Sequence, residues 1–411
     1  MNVSRRTACT AGIALALSAA VTPAARAQAS GPIRIGAVNP YSGPVALYGD
    51  EVARGYQLAV DEFNGRGGIG GRQIELIRGD AGTPQQGIAA VERLVTQDKV
   101  DLLIGTYISA VSNAASDAAA RYNKIYWDTN ALAQDLTERG LPNFIRSGPS
   151  ARNFAAAAAD GIVNLIAPAL KKSPREVSVW LEHEDSVYGT SIAQQQRTIL
   201  EKVGVKVAGV GAHNFRAIDL TDSVLRAKRA NPDVWVNTGY VPDGNLLLRT
   251  MRDQGFAPKA IMMVGTGDTF ETLEALGAQY LEGIVVVGYP RPDQVESFGP
   301  GAAAYLEAYR KKYSREPIAP QGMAAYTGMR ALLETVSAAG STDMEKVRAA
   351  AMKMDKPERS YPTGFGLKFD DKMQNVRANP TIVQWQGGKI ATVYPSAAAR
   401  PGVKLVNLPR Q

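Results

Sequence analysis

The sequence predicts an α/β fold of two doubly wound, parallel-sheet domains joined by a multi-crossing hinge, with a ligand cleft between them. Three observations predict it. The chain has 411 residues, more than one hydrophobic core usually organises, so two domains are expected. Short runs rich in aliphatic and β-branched residues alternate with longer segments of helical spacing, which is the pattern of parallel strands covered by helices on both faces. Those strand-like runs also fall into two sets, parted near residue 148.

The chain opens with an export signal. Residues 1–27 carry Arg5 and Arg6, an apolar stretch over 11–21 and the small-x-small triplet Ala25-Arg26-Ala27, so cleavage is expected near Ala27 and the mature chain in the periplasm. Ser4-Arg5-Arg6 is compatible with twin-arginine export and equally with an ordinary basic leader. No later stretch approaches the roughly 18 uninterrupted apolar residues of a membrane span. Cys9 is the only cysteine and lies within the leader, so the mature chain has no thiol. That excludes disulfides, cysteine nucleophiles and thiolate metal sites. Loss of Arg5, Arg6 and Arg26 lowers the formal charge from +7 to +4. The charge is spread along the chain, and no basic cluster points to nucleic acid as a partner.

The first set of strands is read at 33–38, 74–79, 101–105 and 125–128, the second at 177–183, 205–210, 233–238, 260–265 and 284–289. Helical spacing fills 51–64, 85–97, 192–203 and 219–230 between them. Phe144-Ile145-Arg146-Ser147-Gly148-Pro149 reads as the boundary. After Tyr289-Pro290 only helical patterns follow, around 305–313, 323–338 and 344–352. Helices without strands serve best to cover an existing sheet, so the chain is expected to return there to its first domain. Residues 382–385 and 390–394, joined by Gln386-Gly387-Gly388-Lys389, read as a hairpin that completes the second. The expected lobes are 33–147 with 290–365, and 148–289 with 366–411.

Open α/β sheets hold ligands beyond the carboxyl ends of their strands, so candidate contacts are sought there. Ser109 opens a helix after a buried strand, where its hydroxyl and nearby N–H groups can grip a carboxylate, or where it caps the helix. Asp128 can pair with a ligand ammonium, and Thr129 or Asn130 can hydrogen-bond a head group; an ordinary turn uses the same residues. Tyr48, Tyr107, Trp127, Tyr188, Tyr240 and Phe270 fall in or beside such loops and suit a flat or apolar ligand body. The alternative is that each packs within its own domain. The run Gly65-Arg66-Gly67-Gly68-Ile69-Gly70-Gly71 follows a helix and precedes a strand, the reverse of a phosphate cradle, and reads as a helix end and turn. His183 and His213 lack metal-site spacing. No cofactor is expected, and no nucleophile elbow or metal set indicates an enzyme.

Four segments carry a resemblance. Tyr41-Ser42-Gly43-Pro44-Val45-Ala46-Leu47-Tyr48-Gly49-Asp50, Phe63 to Gly71, Leu136-Thr137-Glu138-Arg139-Gly140 and Glu184-Asp185-Ser186-Val187-Tyr188-Gly189 resemble, in order, the leucine/isoleucine/valine-binding family. These are type I periplasmic solute-binding proteins of ABC importers. The resemblance implies a monomer that closes over a small amino acid or organic acid and presents it to a permease in the inner membrane. It implies Ser109 as the serine that holds the ligand carboxylate, and Tyr48, Tyr188 and Tyr240 as pocket aromatics, with Glu184 beside them. Two departures stand out. Aligned without gaps from Leu136-Thr137, the family's head-group threonine falls at Leu132, whereas a gap brings Thr129 into that role. The family glutamate that neutralises a ligand amino group is replaced by Thr266. Asp128 or Asp268 would then have to supply that carboxylate, or the ligand has no amino group. A ligand-sensing regulator or chemoreceptor partner could use the same cleft, and a secreted hydrolase or oxidoreductase is a further alternative.

Overall fold

The computed structural model describes Met1 and residues 31–410; the expected export signal lies outside the described residues. Strand β1 (Ile33–Asn39) pairs in parallel with β2 (Ile74–Asp80) on one side and β3 (Leu102–Gly105) on the other. β4 (Tyr126–Asp128) and β5 (Phe144–Arg146) extend this sheet in the order β2-β1-β3-β4-β5, all parallel. Phe144–Arg146, the apolar part of the run read from the sequence as the boundary, is a buried strand at the edge of this sheet.

The second sheet contains β6 (Ser178–Glu184), β7 (Lys206–His213), β8 (Val234–Thr238), β9 (Ala260–Val264) and β10 (Val285–Gly288), all parallel. β11 (Asp355–Lys356) and β12 (Leu367–Lys368) form a separate small ladder. β13 (Thr381–Gln386) and β14 (Lys389–Tyr394) are the expected hairpin, added antiparallel beside β10. The second order is β14-β13-β10-β9-β8-β6-β7. Without the hairpin, both sheets follow the same plan: the second strand lies outside the first, and the third lies on the first strand's other side. The strand order reverses direction between β1 and β3, and again between β6 and β8. Loops leaving the carboxyl ends of those two pairs diverge and open a crevice.

Every residue of β3, β8, β9 and β10 is buried, as expected for parallel strands with helices on both faces. One cover of the first sheet comes from far along the chain. Helix Gln321–Ala339 places Ala325, Met329, Leu332, Leu333 and Val336 in one cluster with Ile33, Ile35 and Ile104 of β1 and β3. It crosses helix Ala46–Gly65 with unusually close backbones: a Cβ on Gly55 would stand 2.0 Å from the Gly322 carbonyl oxygen. Glycine at 55 is what permits that crossing.

Candidate functional site

Each sheet delivers two tyrosines at its switch point. Tyr48 follows the loop after β1, and Tyr107 follows β3 directly; their rings stack with centroids 4.3 Å apart. Tyr188 follows β6 and Tyr240 follows β8, with centroids 5.2 Å apart. Tyr107 meets Tyr240 edge to face at 5.7 Å, so the four rings form one chain from the first sheet to the second. Phe215 packs on the far side of Tyr240 at 5.0 Å.

Beside this chain lies a narrow cavity of about 10 Å³ lined by Tyr107, Asn130, Leu132, Tyr188, Tyr240, Gly265, Tyr289 and Gln321. That is about the space one water needs, so the crevice stands closed and gains room for a solute only when its walls move. The rings occupy most of the crevice, and a solute of ring size enters only when Tyr107 and Tyr240 part. Gly265 has φ +72°, and a Cβ there would lie 2.1 Å from the Tyr188 hydroxyl. That hydroxyl donates to the carbonyls of Gly239 and Val264 at 3.3 and 3.2 Å. The missing side chain at 265 thus lets Tyr188 reach across the ends of β8 and β9.

The cavity wall carries no charged side chain among the described residues. Burial pushes the Tyr107, Tyr188 and Tyr240 phenols well above their ordinary range, so they stay protonated and can act as donors. Ser109 is the first residue of helix Ser109–Ala120, two positions after the cavity residue Tyr107. It does not cap that helix; its hydroxyl oxygen accepts the Leu132 and Ala133 N–H groups at 3.2 and 3.1 Å. With both acceptor positions used, the hydroxyl still has its proton to donate. The helix end adds unpaired N–H groups and a partial positive charge.

The carboxylates considered for an ammonium are engaged elsewhere. Asp128 ends β4, accepting the Ser112 hydroxyl at 2.5 Å and the Ala131 N–H at 2.9 Å. Burial pushes its carboxyl up to about 7, more than these bonds and nearby Arg146 pull it down. Asp268 accepts the Arg291 guanidinium at 3.3 Å, and burial again raises its pKa. Glu184 takes the N–H groups of Ser186 and Gly189 and the Ser186 hydroxyl, which fixes the start of helix Val187–Lys202. Thr129 bonds Tyr56 and Asn130. Thr266 is buried beside the Tyr48 hydroxyl, and neither oxygen has a hydrogen-bond partner.

Two aromatics expected near the ligand stand apart from it. Trp127 lies within β4 rather than in a loop, and side chains alternate across a strand. Its ring faces away into the core, 5.5 Å from Phe369, while its indole N–H donates to Ser147. Phe270 is 58% exposed and borders a separate outer groove with Asp268 and Arg291.

Tyr289 and Gln321 line the cavity without having been singled out from sequence. Tyr289 follows β10 directly, so the strand-end rule that found Tyr107 applies to it equally. Its hydroxyl donates to the Asn130 carbonyl at 2.7 Å. Gln321 comes from a helix start 191 positions away from Asn130, and no local signal marks it. Behind the cavity, fully buried Arg146 donates to the carbonyls of Ala131 and Ala133 and to the Gln374 side chain. It thereby holds the loop that carries Asn130 and Leu132.

A second buried network supports Tyr240. His213 lies between Glu182, at 3.1 Å from Nδ1, and Asp243, at 2.9 Å from Nε2. Asp243 also accepts the Tyr240 N–H at 2.9 Å. Burial alone would lower the His213 pKa; the bonds to Asp243 and Glu182 outweigh it and push the ring up to about 9. Among the described residues no group of three or more histidine, cysteine or acidic side chains is placed to hold a metal ion.

Known proteins share this fold and sequence. The chain is 36% identical over 392 residues to Leu/Ile/Val-binding protein homolog 7 of Brucella suis, covering 95% of this chain and 98% of the relative. It is 34% identical to homolog 8 of Brucella abortus, covering 95% and 96%. A leucine binding protein from Thermotoga maritima superposes with a TM-score of 0.76 at 22% identity, covering 90% of this chain and 99% of that one. A solute binding protein of an ABC transporter from Rhodopseudomonas palustris, solved with p-hydroxybenzoic acid, gives 0.76 at 20% identity, covering 91% and 97%. A family model described as periplasmic binding protein matches residues 32–389, and the chain belongs to that family, among its leucine/isoleucine/valine-binding members.

Proposed function

We propose that this chain is the capture component of an ABC importer for a small carboxylic acid with a flat or apolar body and no charged amino group. The observation that carries the reading is the charge of the cavity wall. Among the described residues it offers phenol and amide groups and no acidic side chain, while Asp128, Asp268 and Glu184 are each committed to other partners. A buried ammonium without a counter-charge is strongly disfavoured, by several kcal/mol in practice. A carboxylate, by contrast, gains charge-assisted bonds from neutral donors such as Ser109 and the helix end behind it. The tyrosine rings supply stacking surface for the ligand body.

In this mechanism the solute docks first against Ser109 and Tyr107 of the first lobe. Tyr188 and Tyr240 of the second lobe then close over it. The lobes are 33–147 with 290–365, and 148–289 with 366–411, and closure is favoured only by the extra contacts that the closed state makes. A permease in the inner membrane receives the solute from the closed form, and the protein acts in the periplasm as a monomer without catalysis. Solved relatives of the same fold carry benzoate and 4-hydroxybenzoate, so the architecture accommodates such acids.

A thermal-shift and calorimetric comparison tests the reading. Leucine, isoleucine, valine and phenylalanine are set against benzoate, phenylacetate and the deaminated counterparts of the amino acids. Stabilisation by the acids and not the amino acids is expected. Stabilisation confined to the amino acids would overturn the reading and assign an ammonium partner to this cavity.

A further inference from the structure

We infer that Gln321 reads a hydroxyl on the ligand body, so that the preferred solute is a ring-hydroxylated aromatic acid; this rests on the carboxylic-acid reading above. Gln321 is 2% exposed, lines the cavity, and its Oε1 has no hydrogen-bond partner. Leaving a buried polar oxygen unpaired is unfavourable by about 1–3 kcal/mol, so the site favours a ligand that completes the bond.

The polar groups of Tyr289 and Asn130 are already engaged. Tyr289 donates to the Asn130 carbonyl, Asn130 receives the Thr129 hydroxyl on its Oδ1, and the Asn130 amide N–H groups point to the Gln321 backbone carbonyl at 3.4 Å. Beside the Tyr107 and Tyr240 phenols, the side-chain amide of Gln321 is a polar group of the wall that keeps a buried, unpaired atom. A hydroxyl matches it in either amide orientation, donating to Oε1 or accepting from Nε2.

The amide is also held in place. Gln321 is the first residue of helix Gln321–Ala339, and the next residue, Gly322, is pressed against Gly55 of the neighbouring helix. Its position is therefore set by a backbone contact rather than by a mobile loop. A site built around a hydrogen bond to a substrate hydroxyl discriminates against the analogue that lacks it more sharply than an apolar pocket discriminates by size.

The experiment measures affinity of the full mature protein for benzoate and its meta- and para-hydroxy derivatives, in the wild type and in Gln321→Leu and Gln321→Asn. The wild type is expected to bind one hydroxybenzoate roughly tenfold more tightly than benzoate. Gln321→Leu is expected to erase that preference while retaining or improving benzoate binding, which also reports that the cavity remains folded. Equal wild-type affinity for all three acids, or a preference that survives in Gln321→Leu, overturns the assignment of Gln321 and leaves the carboxylic-acid reading standing. Binding of leucine with no binding of any benzoate overturns both. Gln321→Asn, which keeps the amide and shortens its reach, is expected to weaken the preference and not reverse it.

Discussion

Ser109 and Asp128 both tie down the chain that follows β4. Ser109 fixes the chain after β4 by accepting two N–H groups and still has a proton to offer. Ser109→Ala is expected to weaken carboxylate binding by about 1–3 kcal/mol, measured by titration calorimetry; an unchanged affinity would reduce the serine to an anchor for Leu132 and Ala133. Asp128 is different, because its folded pKa is raised towards about 7. A carboxyl raised in the folded state favours folding while protonated, and that contribution is lost as pH rises from its unfolded value near 4 through about 7. Asp128→Asn should therefore be more stable than the wild type at pH 8, with the advantage shrinking towards pH 5. Urea unfolding at both pH values checks this, and an advantage of equal size at both would show that ionisation of Asp128 is not its origin.

At the scale of elements, the cleft depends on two devices behind the tyrosines. The first is the Glu182–His213–Asp243 chain, which ties β6 and β7 to the start of the helix that Tyr240 leads. With its folded pKa raised to about 9, His213 contributes stability that is complete below about 6.5 and is lost as pH rises through 9. The melting temperature is expected to fall between pH 8 and 10 and to do so less steeply in His213→Asn. Parallel curves for the two proteins would remove the imidazolium from the account. The second device is the Gly55–Gly322 crossing. Gly55→Ala must push the helices apart, with an expected loss of about 1–3 kcal/mol in urea unfolding, together with weaker binding as Gln321 moves.

The strands themselves were legible because parallel, doubly covered strands read as unbroken apolar runs, and the rule that ligands meet strand ends located Tyr48, Tyr107, Tyr188 and Tyr240. The same rule failed at Trp127, where the decisive variable was which face of β4 the side chain takes. Gln321 and Arg146 were not legible, since the contacts that define them join positions nearly 200 residues apart or more.

For the whole molecule, the shared strand order is the organising feature. Two sheets of one plan face each other, each offering the pair of rings that its own switch point exposes, so the crevice is closed by like surfaces meeting. If the two halves hinge, small-angle scattering should record a smaller radius of gyration on adding a saturating acid. An unchanged radius would mean that the rings yield to the solute without lobe movement. A solute at 100 times its dissociation constant should also stabilise the folded state by about 2.7 kcal/mol, visible as a rise in melting temperature.

The aromatic chain across the crevice has an optical corollary. It is made of tyrosine, whereas the four tryptophans, Trp127, Trp180, Trp235 and Trp385, are packed into the hydrophobic interiors. Emission excited selectively in those indoles therefore reports on cores that a bound solute does not touch. Tyrosine difference absorbance reports on the rings that must part. A titration followed by those tryptophans alone would look silent at full occupancy, and a genuine ligand would be scored as a non-binder.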